Sequence, residues 1–367
     1  MKISTRIAVL PGDGIGPEIM AACMPILTRS AEHGGHKLST KNGLIGWAAH
    51  DVYGDVMPEE TWQLCQESDA ILFGAVGLPK RDPELKSEMR PEKRALLPLR
   101  KKFNLGCNIR PVKVYPNLTD LSPLKNNRLV GGVDLTFFRE LLGGDYFGER
   151  RLDPDGQWAE DVCHYDRNLI VNIARAAFGR AQITKEKVTS IDKANVLGAT
   201  GTFWRGIVQE IHDTEFPFVA LEHQFVDAFN LFLFTKPTSF QIVLTSNLQG
   251  DVLSDGGAGL SGSMGLLPSA SLDTETGFGL YEPSGGSAPD IAGQNLANPI
   301  AMILSIALMF RYSLKDEETA VKIEKAVETT LQQGYRTVDL IPENSTNENL
   351  VTVGTVGMAV QVLSHLN

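Results

Sequence analysis

Several things are scarce in this chain of 367 residues, and each scarcity excludes something. Cysteine occurs four times, at Cys23, Cys65, Cys107 and Cys163, with no CxxC or CxxH spacing. That excludes a disulfide framework and a thiolate zinc site, and it points to reduced thiols in a cytoplasmic protein. Basic charge is short: 34 Lys and Arg stand against 44 Asp and Glu, giving a net charge of −10 with both signs interspersed. A nucleic-acid partner needs a basic face, so none is expected. A small anionic substrate stays open, because a local arginine cluster can override the global sign. Long apolar runs are missing. The longest, "NPIAMILSIALMF" from Asn298 to Phe310, is too short to cross a bilayer and reads as a buried helix, so no membrane partner is expected. The start "MKISTRIAVLPGDG" has a continuous run of only four apolar residues before Pro11, which makes no secretory h-region. Repeats and low-complexity linkers are absent, so composition marks no domain boundary.

The remaining composition, 43% hydrophobic and 21% charged, is that of a soluble globular protein with length for two domains or one large one. Apolar strand-like runs such as "AILFGAVG" and "FQIVLT" alternate with segments of helical periodicity such as "RNLIVNIARAAFGRAQI" and "DEETAVKIEKAVETTLQQG". Alternation of this kind predicts an α/β fold. "PGDGIGPE" (Pro11 to Glu18) follows a strand and opens a helix, as a dinucleotide fingerprint would. Its glycines form GxGxG rather than GxGxxG, and no acid follows at the end of the next strand. A tight strand-to-helix turn is at least as good a reading as a cofactor contact.

"LQGDVLSDGG" places Asp251 and Asp255 four residues apart, on one face of a helix. Like charges at that spacing cost about 0.2–0.5 kcal/mol. They make sense around a hard cation such as Mg²⁺ or Mn²⁺, or else as a solvated helix face. Asp227 in "HQFVDAF" is a third candidate ligand, or a helix-start acid. Arg139 in "FFREL" ends an apolar run where an unpaired charge would be costly. With Arg100 in "LPLRKK" and Arg110 in "CNIRPVKV" it could hold a dicarboxylate through bidentate forks; each could equally be a structural ion-pair partner. Tyr146 follows two glycines, which let backbone come close to a ligand; the alternative is a loop aromatic packed at the surface. Lys193 sits where a strand ends, the edge at which open α/β sheets bind ligands, and is either catalytic or solvated there.

Taken together, "LPGDGIGPE", "ALLPLRKKFNLGCNIRPVKVYP", "RELLGGDYFGER", "DKANVL", "EHQFVDA", "GDVLSD", "GSMGLLPSASL" and "YEPSGGSAPDIAGQNLANPIA" occur in this order. Over essentially its whole length the chain resembles the isocitrate/isopropylmalate dehydrogenase family of β-decarboxylating hydroxyacid dehydrogenases. The resemblance implies a two-domain α/β fold of that family's kind, not a Rossmann fold. Residues 1–105 and 262–367 would form a discontinuous cofactor-binding domain, and 106–261 a smaller domain with the catalytic residues and the dimer interface. It implies a homodimer with shared active sites, Lys193 and Asp227 coming from the partner. By similarity Tyr146 and Lys193 handle protons, and Arg100, Arg110, Arg139 and Asp227 bind substrate. Asp227, Asp251 and Asp255 would hold Mg²⁺ or Mn²⁺. NAD would lie on Glu282, Gly285, Gly286, Ser287, Ala288, Pro289, Asp290, Ala297 and Asn298, Asp290 disfavouring a 2′-phosphate. Leu96 and Leu97 beside Arg100 suit a branched-alkyl substrate. The implied reaction is therefore NAD⁺-dependent oxidative decarboxylation of (2R,3S)-3-isopropylmalate to 2-oxoisocaproate, as in leucine biosynthesis. D-malate, tartrate, homoisocitrate or isocitrate are the sister specificities, and a non-catalytic ligand-binding relative is the alternative of another class.

The chain departs from the family pattern at Leu78, Asp145, Asn230 and Gln249. It also puts Gly256, Gly257 and Gly259 on the helix expected at the dimer interface. Each glycine costs about 0.5–1 kcal/mol against alanine inside a helix. They predict a weakened or rearranged interface, or else closer helix packing.

Overall fold

The computed structural model describes residues 4–342 and 349–366. The chain divides into two compact units: Met1–Phe103 with Gly262–Ala270 and Gly277–Asn367, and Asn104–Ser261 with Ser271–Thr276.

In the first unit, strand Thr5–Gly12 lies parallel between Leu38–Asn42 and Ala70–Ala75, and Gly279–Pro283 pairs parallel with Ala70–Ala75. All six residues of Ala70–Ala75 are buried, as the unbroken apolar run "AILFGA" requires of a strand covered on both faces. Helix Gly16–His33 begins with Pro17 in its first turn, where a missing N–H costs nothing. Helix Ile300–Tyr312 is buried at every residue from Ile300 to Phe310, which explains the longest apolar run of the sequence. Helix Glu317–Gln332 is amphipathic, and the Asp316 carboxylate accepts the Thr319 N–H at 2.9 Å to cap it.

In the second unit, Cys107–Val114 runs antiparallel to Val133–Glu140. Strands Ile242–Thr245, Val188–Asp192 and Leu221–Phe225 follow, each parallel to its neighbour. Helices Arg167–Thr184, Thr200–Glu215, Val226–Thr235 and Asn247–Ser261 connect and cover them. Four parallel strands thus end at one edge. Arg139 is the penultimate residue of Val133–Glu140, Lys193 follows Asp192, and Asp227 and Asn247 open the helices after the other two strands. The topology gathers the candidate groups at the carboxyl ends of parallel strands, where such sheets bind ligands.

Candidate active site

Arg139 is 1% exposed, and the cost of burying its charge is met by acceptors on every side. Its Nη1 donates to Asp251 Oδ1, while Nε and Nη2 donate to Asn247 Oδ1 at 3.1 and 2.7 Å. Tyr146 donates its hydroxyl to the other Asp251 oxygen, and the Arg139 guanidinium lies 5.3 Å from the Tyr146 ring centroid. Burial, and then the Asp251 charge, push the Tyr146 phenol above its ordinary value, so it keeps its proton. Arg110 bridges both aspartates of the helix: Nη2 lies 3.4 Å from Asp251 and Nη1 3.1 Å from Asp255. Ser254 and Asn108 accept its remaining donors at 2.8 Å each. Five of the expected residues, Arg110, Arg139, Tyr146, Asp251 and Asp255, therefore form one cluster within the second unit. Gly250 allows it: a Cβ there would lie 2.7 Å from the Arg139 stem and 2.3 Å from the Thr245 hydroxyl.

Lys193 and Asp227 form a separate pair, at the ends of adjacent strands registered Asp192 to Phe225. The Lys193 ammonium holds the Asp227 carboxyl below its usual value. Among the described residues, no group of three His, Cys, Asp or Glu is placed to hold a metal ion. One chain brings two hard oxygen donors, Asp251 and Asp255, to share the Arg110 guanidinium, with Asp251 facing Arg139 as well. That donor set fits a hard divalent ion in part, and Asp227 does not complete it within the chain.

In the first unit, Arg100 and Glu282 are each other's partners at 3.3 Å, both nearly buried. Arg100 Nε is buried and donates to nothing among the described residues, a polar atom in need of an acceptor. Leu96 and Leu97 are half-buried where a π-helical turn, Glu92–Leu96, passes into the Leu97–Lys102 helix. The two glycine-rich turns differ in what they face. A Cβ on Gly12, Gly14 or Gly16 would strike backbone oxygen of Ala75, Ser287 or Pro11 at 1.9–2.1 Å, so the "PGDGIGPE" turn is filled with protein. Among the described residues, a Cβ on Gly286 or Gly293 would meet nothing within 4 Å, and one on Gly285 would meet only Met264, at 3.8 and 3.9 Å. Glu18, from the first turn, accepts the Gly293 N–H at 2.7 Å and the Thr355 hydroxyl at 2.6 Å. Ser287 donates to the Gly77 carbonyl, and Ala288 takes a positive φ of 37°, uncommon without glycine. Pro289 follows it in the same irregular stretch, Ala297 is buried, and Asn298 bonds Asp339 at 3.0 Å. Asp290 pairs with Lys80 at 2.7 Å, both highly exposed.

Two further residues of this site, Asn247 and Glu140, lie outside the expected set. Asn247 joins Arg139 to the Gly143 carbonyl, to which its Nδ2 donates at 2.9 Å, and its backbone N–H donates to the Tyr165 hydroxyl at 2.8 Å. Glu140 is fully buried beside Arg139. Its carboxylate accepts the N–H groups of Leu142 and Gly143 at 2.7 and 2.8 Å, fixing the turn that carries Tyr146. Burial pushes its pKa up to about 7. A second charge in the run "FFREL" is the signal that could have found it. Of the departures from the family pattern, Asp145 lies against the Cys163 thiol, and Gln249 has a buried Oε1 without a hydrogen-bond partner. Nothing in the structure explains Leu78 or Asn230.

Comparison with known proteins decides the family. The isocitrate/isopropylmalate dehydrogenase family model matches residues 6–358. The chain belongs to that family. A protein of Escherichia coli K12 named 3-isopropylmalate dehydrogenase is 48% identical over 343 residues, 93% of each chain. One of the same name from Pseudoalteromonas translucida is 47% identical over 97% of this chain and 99% of its own. Among solved structures, isocitrate dehydrogenase from Methylococcus capsulatus superposes with a TM-score of 0.83 at 29% identity, covering 99% of both chains. A β-decarboxylating dehydrogenase from Thermococcus kodakarensis gives 0.78 at 30% identity, covering 99% of this chain and 96% of its own. The α/β fold expected of this family is thus the fold found. No helix among the described residues is long and apolar enough to cross a membrane.

Proposed function

We propose that this dehydrogenase oxidises and decarboxylates (2R,3S)-3-isopropylmalate to 2-oxoisocaproate with reduction of NAD⁺, in the cytoplasm, as a step of leucine biosynthesis. The observation that carries the site assignment is the buried Arg139 guanidinium ringed by Asp251, Tyr146 and, through Asp251, Arg110. It joins a carboxylate-binding fork, a proton-bearing phenol and two hard oxygen donors in one cluster. The near-identical coverage of relatives named for this reaction supports the substrate.

On this reading Arg100, Arg110 and Arg139 hold the substrate carboxylates, Arg100 through its unpartnered Nε among others. Leu96 and Leu97 offer apolar surface to the isopropyl group. Asp251 and Asp255, with Asp227 of a second copy, would hold Mg²⁺ or Mn²⁺, which when bound lowers the pKa of the substrate hydroxyl and stabilises negative charge after CO₂ leaves. NAD⁺, when bound, would supply the hydride acceptor for the substrate's C2. It would lie against Glu282 and the open glycine stretch from Gly285 to Asp290, on to Ala297 and Asn298, in the role of cofactor domain for residues 1–105 and 262–367. Lys193, or a water it orients, takes the hydroxyl proton. Tyr146, keeping its proton, delivers one to the carbon that has lost CO₂. Residues 106–261 would carry this chemistry and the dimer contact. The exposed apolar side chains Leu231, Phe234, Leu248 and Val252, on two packed helices, offer that contact its surface.

The test is NADH formation from a panel of 2-hydroxy diacids with Mg²⁺, with and without EDTA. Isopropylmalate is expected to react fastest, and EDTA to abolish the rate. Faster turnover of D-malate, tartrate, homoisocitrate or isocitrate reassigns the substrate. Binding without any NADH makes the chain a ligand-binding relative.

A further inference from the structure

We propose that the first unit carries a second small-molecule site, for a dianion of the phosphate type, in the pocket lined from helices Gly16–His33 and Glu317–Gln332 and by His365 and Leu366, just beyond helix Thr355–Ser364. The pocket encloses about 220 Å³ and is lined by Ser30, His33, Lys322, Lys325 and His365 among others. None of these belongs to the proposed catalytic, substrate or cofactor set, so the inference stands whether or not that assignment does.

Three observations point to an anion. First, no aspartate or glutamate lines the pocket, in a chain whose net charge is −10. Lys322 is paired with Glu318 at 2.7 Å, while Lys325 has no ion-pair partner among the described residues. Second, the basic groups exceed what helix ends call for. His33 and His365 lie at helix C-termini, where positive charge complements the macrodipole, but Lys322 and Lys325 stand in the middle of their helix. Third, Ser30 is 3% exposed and its hydroxyl has no hydrogen-bond partner among the described residues. A serine inside a helix ordinarily satisfies itself on the carbonyl four residues back. This one leaves a buried donor and acceptor at the pocket wall, as a site does when a ligand atom is the missing partner. His365 donates through Nε2 to Gln333 Oε1 at 3.0 Å, so Nδ1 of the neutral ring is an acceptor, able to take a hydrogen bond from a ligand hydroxyl but not to give one to a phosphate oxygen. The pocket is half open to solvent and admits a phosphate with a small organic substituent.

The experiment titrates the full-length protein with inorganic phosphate, and separately with glycerol 3-phosphate, by calorimetry at constant ionic strength. One phosphate per chain is expected at this pocket. Lys322→Gln/Lys325→Gln should weaken binding by about tenfold or more, as loss of hydrogen bonds to charged groups does. Ser30→Ala should weaken it several-fold while leaving the melting temperature of the ligand-free protein unlowered, because its hydroxyl bonds nothing there. Tighter binding of glycerol 3-phosphate than of phosphate through the same lysines assigns the site to an organic phosphate; equal binding assigns it to the free ion. Phosphate binding that survives the double lysine variant, or that is lost instead in Arg110→Gln, overturns the proposal, as does an absence of binding above that of chloride.

Discussion

Replacing Glu140 by glutamine tests the buried charge arrangement behind Arg139. Burial raises the Glu140 carboxyl from an ordinary 4.5 to about 7, against the lowering effect of the Leu142 and Gly143 N–H groups and of Arg139. Between those two pH values the native state holds a proton that the unfolded chain has released. Stability from this group is therefore complete below pH 4.5 and is lost as pH rises through 7. At about 1.4 kcal/mol per pH unit the full linkage is about 3 kcal/mol. Glutamine does not titrate. Its amide presents a donor to one of two backbone donors, so Glu140→Gln is less stable than the parent at pH 5. That deficit should shrink by about 2–3 kcal/mol between pH 5 and pH 8, because only the parent loses linkage stability. Urea unfolding of both proteins at matched pH values measures it, and the difference cancels every other titrating group. A deficit constant across that range would show that Glu140 is ionised in the native protein at pH 5, and the account of its environment would fail.

The glycines of helix Asn247–Ser261 should respond in opposite senses: a Cβ on Gly257 would lie 2.9 Å from the Phe137 ring, whereas one on Gly259 would meet nothing within 4 Å. Gly257→Ala should therefore destabilise by about 1–3 kcal/mol and Gly259→Ala stabilise by about 0.5–1 kcal/mol, read by thermal unfolding of dilute protein. Asn247→Ala removes the acceptor of two Arg139 donors, and kcat/KM for the diacid should fall about 10–100-fold, mostly through KM; an unchanged KM would deny that Asn247 positions the guanidinium. Mixing Lys193→Ala with Tyr146→Phe, each inactive alone, and allowing subunits to exchange should restore about a quarter of the parental activity, since half the dimers are mixed and one of their two sites is intact. No recovery would place both residues of a site on one chain.

How far the sequence announces this fold depends on whether local pattern and tertiary demand agree. "AILFGA", "FQIVLT" and the long helices are legible because a single period governs each. Strand Cys107–Val114 is harder to see, since Arg110, Pro111 and Lys113 interrupt it, and Arg110 is there for the cluster rather than for the strand. Helix Thr355–Ser364 is rich in valine and contains a glycine, and packing, not propensity, makes it a helix. The return of Ser271–Thr276 to the middle unit follows from contacts alone and has no compositional mark. At the site, Arg139 is betrayed by a charge in an apolar run. Asn247 is hidden, because an asparagine ahead of a helix reads as an ordinary cap. The glycine helix shows the same division: spacing raises the question of interface against packing, and only the Phe137 ring beneath Gly257 answers it for that residue.

The paired charges of the second unit also bear on how a diacid could be recognised there. Burying a guanidinium as deeply as Arg139 costs several kcal/mol, and the protein has already met that cost on folding by facing it with Asp251 and Asn247. A substrate carboxylate arriving at Arg110 or Arg139 therefore exchanges one anion for another instead of desolvating a free cation. The exchange is favourable only where Asp251 and Asp255 gain a different positive partner as they release the arginines. Asp227, paired with Lys193 and away from them in the single chain, stands in the same position. Every acid of the proposed metal set is thus neutralised by a base of the proposed substrate or proton-transfer set. Metal and diacid should accordingly bind cooperatively: calorimetric affinity for isopropylmalate without NAD⁺ should rise at least about tenfold with Mg²⁺, and that gain should vanish in Asp251→Asn. Equal affinity with and without the ion would show that the arginines do not need their aspartates relieved.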